Sequence, residues 1–105
     1  MLILFDHGTP RGIARFLQGH TVVRARERGW DRLTNGELLA EAERAGFDVF
    51  VTGDKNIRYQ QNLRDRKIAI LELPTNRWPK LLAMKEVVLS EVSALKPADY
   101  KIVEP

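Results

Sequence analysis

Cysteine is absent from this 105-residue chain, and histidine occurs only twice. The first absence excludes disulfides, thiolate metal centres, iron–sulfur clusters and a cysteine nucleophile. The second excludes a histidine-rich metal site. No apolar run approaches the ~18 residues that a membrane-spanning helix needs. The opening Met1-Leu2-Ile3-Leu4-Phe5 meets a charge at Asp6 and has no basic residue before it, so no secretory leader is expected. With 44% hydrophobic and 30% charged residues the composition is globular, and the length leaves room for one core. The expectation is a cytoplasmic domain over residues 1–96, followed by a tail or edge strand over 97–105. Its chemistry must come from carboxylates, hydroxyls, amides and bases.

Charge is present in both signs but in blocks. Residues 11–32 carry Arg11, Arg15, Arg24, Arg26, Arg28 and Arg32 against Glu27 and Asp31. Residues 33–54 carry Glu37, Glu41, Glu43, Asp48 and Asp54 against Arg44. Residues 55–67 are basic again, with Lys55, Arg58, Arg64, Arg66 and Lys67 against Asp65. Two basic segments flanking an acidic one suit a polyanion-binding rim around an acidic site, although solvated helix faces produce the same blocks.

Hydrophobic periodicity alternates between two kinds. Residues 2–5, 20–23, 48–52 and 67–71 are short apolar runs that read as strands buried on both faces. Thr9 with Pro10 opens a helix that Gly19 closes, carrying Ile13, Phe16 and Leu17 on one side. Thr34 and Glu37 form a capping box for a helix over 34–45 that ends at Gly46. A short helix is expected over 56–65, a last helix from Trp78-Pro79 with Leu81, Val88, Val92 and Leu95 inward, and an edge strand over 100–103. Such alternation indicates an α/β fold in three layers, a mostly parallel sheet of four or five strands with helices on both faces.

In an open parallel sheet, sites form at the carboxyl ends of the strands. Asp6 ends the first strand and Asp54 follows the third. An acid at the end of a buried strand is costly without a partner, and two neighbouring carboxylates repel unless a cation or proton intervenes. Magnesium suits such a pair, because it needs few carboxylates and keeps its waters. Glu37 is a third candidate acid, although its capping-box position also lets it serve Thr34 alone. His7 is a candidate base or ligand, and Asn35 and Asn56 are candidates for orienting water or substrate. Arg11 and Arg15, one turn apart, with Lys55 and Arg58, are candidates for gripping a nucleic-acid backbone. Tyr59-Gln60-Gln61-Asn62 could present a ring and amides to bases. Trp30 and Trp78 read as packing residues. Aspartates after the first and third strands also suit a phospho-acceptor receiver, but His7 stands where such a domain carries its second acid.

Three segments carry a resemblance: Phe5-Asp6-His7-Gly8-Thr9-Pro10, then Thr34-Asn35-Gly36-Glu37-Leu38-Leu39, then Gly46-Phe47-Asp48-Val49-Phe50-Val51-Thr52-Gly53-Asp54-Lys55-Asn56. In this order they resemble the short PIN-like domains of bacterial and archaeal proteins, related to VapC-type toxins. The resemblance covers roughly residues 2–75. It implies a PIN-type α/β fold and Mg2+- or Mn2+-dependent cleavage of RNA by Asp6, Glu37 and Asp54, with Asp6 and Asp54 on the metal. An antitoxin protein partner and a homodimer are further implications. A non-catalytic PIN-like module that binds nucleic acid or protein is the alternative.

Overall fold

The computed structural model describes residues 1–59 and 66–104. Among these residues five strands form one sheet: β1 (Leu2–Phe5), β2 (Thr21–Arg24), β3 (Val49–Thr52), β4 (Ala69–Glu72) and β5 (Tyr100–Ile102). Their order is β2-β1-β3-β4-β5 and every pairing is parallel. The architecture is the expected α/β one, with a buried sheet between two helical layers.

Strand side chains alternate between faces, and the core divides accordingly. Ile3, Phe5, Val49, Val51, Ala69 and Leu71 share one cluster with Ile13, Leu17, Leu81, Val88 and Val92. These come from the 3-10 helix Arg11–Phe16 and its C-cap Leu17, and from helices α2 (Trp78–Ala83) and α3 (Lys85–Ala94). Leu4, Phe50 and Ile70 share the other cluster with Ala25, Leu38, Leu39, Ala42 and Ile57. These come from the 3-10 helices Ala25–Arg28 and Lys55–Tyr59 and from helix α1 (Asn35–Arg44). The β1–β2 and β4–β5 connections therefore cover the same face while stepping in opposite directions along the sheet. Their crossovers have opposite hands, and one of them departs from the usual right-handed rule.

Several expected elements take a different form. The first helix is 3-10, and its N-cap is Pro10 with no side-chain cap. Thr9 does not cap it, because the Thr9 hydroxyl bonds Asp6 and the Val51 carbonyl instead. The polar connection after β2 contains a 3-10 turn ended by Gly29 in the left-handed region (φ 75°). The last helix is interrupted at Met84 (φ −105°, ψ 13°). The capping box of α1 forms as expected, with both Thr34–Glu37 bonds present. The expected helix over 56–65 is described as a 3-10 helix to Tyr59; its remainder, with Gln60, Gln61 and Asn62, lies outside the described residues. Trp78 stacks on Phe16 with ring centroids 5.5 Å apart, and Trp30 meets Phe47 edge-on at 6.1 Å, so both indoles pack. Among the described residues no helix is long and apolar enough to cross a membrane.

Candidate functional site

From β1 the chain steps to β2 on one side, then returns past β1 to β3 on the other. The order reverses between β1 and β3, where open α/β sheets form their clefts at the carboxyl ends. Asp6 and Asp54 follow these two strands.

Asp6 extends the ladder by one bond, its N–H donating to the Val51 carbonyl at 3.1 Å. Only 5% of the residue is exposed. Two hydroxyls satisfy its carboxylate: Thr9 donates to Oδ1 and Thr52 donates to Oδ2, each at 2.5 Å. Thr52 is the last residue of β3 and fully buried. Its single proton goes to Asp6, while its oxygen accepts the Asp54 N–H at 2.9 Å. One hydroxyl therefore joins the two acids.

Asp54 is half-buried, and both its oxygens are engaged. Oδ1 accepts the Asn56 N–H at 2.9 Å, closing a turn, and Oδ2 accepts the Asn35 amide at 2.8 Å. Asn35 is the first residue of α1, so the capping box that starts this helix also aims an amide at Asp54. His7 is exposed, and its Nε2 bonds the Leu33 carbonyl at 2.9 Å. A carbonyl only accepts, so Nε2 carries the proton and Nδ1 of the neutral ring is a bare acceptor.

A cleft of about 200 Å³ gathers Asp6, His7, Asn35, Asp54 and Asn76, with Gly8 and Gly53. Asn76 spans it: a Cβ on Gly8 would lie 3.8 Å from the Asn76 amide nitrogen, and one on Gly53 would lie 3.6 Å from its Cβ. A second cleft of about 240 Å³ shares Asp6 and His7, and adds Thr9, Arg24, Arg26 and Asp31.

Four predicted site residues thus meet in one cleft: Asp6, His7, Asn35 and Asp54. Glu37 is exposed and turns to the capping box, its Oε1 accepting the Thr34 N–H at 2.9 Å. That bond and the Thr34 hydroxyl hold the Glu37 carboxyl below the usual range. Among the described residues no three or more His, Cys, Asp or Glu side chains gather as a metal-binding group. Asn56 contributes its backbone N–H, and Lys55 is exposed beside it. Arg58 gives its guanidinium to Glu72, a residue only 1% exposed. The other Glu72 oxygen accepts the Tyr100 hydroxyl at 2.5 Å. Arg11 and Arg15 lie together along a concavity with Pro10 and Trp78.

Thr9, Arg24 and Arg26 join the second cleft and Thr52 binds Asp6 without having been site candidates from sequence, and Asn76, a neutral residue after the fourth strand, joins the first cleft. Strand parity offers a signal for one of them: Thr52 shares a face with Phe50, as Asp6 does with Leu4, and β1 pairs with β3. No family model, curated protein or solved structure matches the chain.

Proposed function

We propose that the chain is a divalent-cation-dependent ribonuclease of PIN type, acting at the Asp6–Asp54 cleft. The supporting observation is that two aspartates from different strands line one cleft at the reversal of strand order, joined through the Thr52 hydroxyl. The donor set fits Mg2+ or Mn2+: carboxylate and amide oxygens suit hard cations, and two carboxylates suffice when waters complete the shell. Asp6 and Asp54 would hold the cation, which supplies charge neutralisation at phosphorus and a more acidic water.

The chain's own groups do the rest. The hydroxyls of Thr9 and Thr52 fix the rotamer of Asp6, so its position does not depend on the ligand. Asn35 fixes Asp54 in the same way. His7, with Nε2 held by Leu33, offers Nδ1 to a proton from the attacking water. Asn76 offers an amide to the water or the leaving oxygen. Arg11 and Arg15 hold the strand by its phosphates without reading sequence. An antitoxin that covers the cleft belongs to the same reading.

One observation favours the binding module instead: all four oxygens of Asp6 and Asp54 already accept hydrogen bonds from the protein. Incubation of the purified protein with mixed RNA separates the two. The nuclease reading expects cleavage with Mn2+ that a chelator abolishes and Asp6→Asn or Asp54→Asn lowers about a hundredfold or more. Cleavage indifferent to chelator and variants overturns it. Retained, salt-sensitive binding with no cleavage assigns the binding module.

A further inference from the structure

Three arginines lie close together in and after β2, and they are not equivalent. Arg24 donates from Nε to Glu27 at 3.1 Å, leaving its outer nitrogens available. Arg28 lies over the rings of Trp30 and Phe47, 5.3 Å from each centroid. Arg26, exposed, has no ion pair among the described residues. Arg24 and Arg26 both line the second cleft, which shares Asp6 and His7 with the first. The two clefts thus lie on either side of the Asp6-His7 turn.

This second cleft is not a plain anion site. Asp31 lines it too, exposed and without an ion pair among the described residues. Asp6 also lines it, but its oxygens accept from Thr9 and Thr52; the remaining two guanidinium groups and one carboxylate fit a ligand with a negative end and a hydrogen-bond-donating end. A nucleotide is such a ligand: its phosphate suits arginine, and the exocyclic amino group of adenine, cytosine or guanine suits a carboxylate.

We propose that this cleft holds the nucleotide adjoining the scissile phosphate of a single-stranded RNA. Arg26 and the outer nitrogens of Arg24 take its phosphate, and Asp31 accepts from the amino group of its base. The proposal rests on the nuclease reading for what happens next door. It adds a preference for amino-bearing bases over uracil and a grip on the β2 side of the cleft.

The test reads binding rather than turnover. Fluorescent oligo(A) and oligo(U) ten-mers are titrated onto the full chain in chelator at several salt concentrations. Arg26→Ala is expected to weaken oligo(A) binding about tenfold and lower the salt slope by about one ion. Arg26→Lys restores part of that loss. Asp31→Asn is expected to narrow the preference for oligo(A) over oligo(U). Arg44→Ala, at the C-terminal end of α1 beside the amino end of β3, leaves both unchanged. Circular dichroism checks that each variant is folded. Equal losses from Arg26→Ala and Arg44→Ala, no loss from either, or no binding by the wild-type chain overturns the proposal, whatever the cleavage assay shows. Arg26-dependent, base-selective binding without cleavage upholds the subsite and sinks the hydrolytic reading. Cleavage without Arg26-dependent binding does the reverse.

Discussion

Replacing Thr52 by valine removes one hydroxyl and leaves the side-chain volume nearly unchanged. The site is fully buried, so packing is conserved and the change isolates hydrogen bonding. Two bonds disappear: the donation to the Asp6 carboxylate at 2.5 Å and the acceptance from the Asp54 N–H at 2.9 Å. A bond to a charged group contributes about 1.5–3 kcal/mol and a neutral one about 1 kcal/mol, so Thr52→Val costs about 3 kcal/mol. For a domain of this size that lowers Tm by about 12–24 °C. Thr52→Ser keeps both bonds and loses one methyl, costing about 1 kcal/mol. Urea unfolding followed by circular dichroism measures both variants. A double-mutant cycle with Asp6→Ala then isolates the hydroxyl–carboxylate pair, with an expected coupling of about 1.5–3 kcal/mol. A Thr52→Val loss below about 1 kcal/mol, or serine and valine variants of equal stability, would falsify the claim that this hydroxyl joins the acids.

Further consequences are measurable. A Cβ at Gly12 would meet the Trp78 ring at 2.5 Å, so Gly12→Ala is expected to cost about 1–3 kcal/mol despite the better helix propensity of alanine; a stabilised variant in thermal unfolding refutes the contact. Thr34→Ala removes the α1 cap and is expected to cost about 1 kcal/mol; under the proposed nuclease reading, because Asn35 starts the same helix, Mn2+ affinity, followed by titration, should fall with it. Burial and the bond to the Glu72 carboxylate push the Tyr100 hydroxyl well above its ordinary value. The native state therefore holds that proton more tightly than the unfolded chain, whose tyrosine titrates near about 10. The stabilisation is complete below that pH and is lost as pH rises above it. Denaturant midpoints from pH 9 to 11.5 should fall more steeply for wild type than for Tyr100→Phe, and parallel curves count against the bond.

Sequence conveys the layered fold here because the inner strands β1, β3 and β4 are short, almost wholly apolar and buried runs, and such runs are buried on both faces only between two helical layers. The capping box at Thr34 was readable for the same local reason: its partners lie three residues apart. What was not readable depends on pairing across the sheet. Thr9 looks like a helix cap until Asp6 and Val51 are placed beside it. Thr52 reads as an ordinary strand residue until β1 and β3 are neighbours. Asn76 follows a proline-containing loop whose course no periodicity fixes. Asp6 and Asp54 stood out because a charge that ends a buried strand demands a partner, whereas the partner hydroxyls carry no such mark. Arg58 shows the converse: its charge suggested a ligand contact, and a buried glutamate claims it.

Glu72 gives the chain an unusual dependence on its far end. Arg58 grasps it from the segment that follows Asp54, and Tyr100 grasps it from the outermost strand. The carboxylate acts as a buckle between two straps: undoing the Arg58 strap leaves a buried charge without its cation, and undoing the Tyr100 strap leaves one of its oxygens without a donor. One buried side chain of β4 thus ties the outermost strand to the 3-10 helix that follows Asp54.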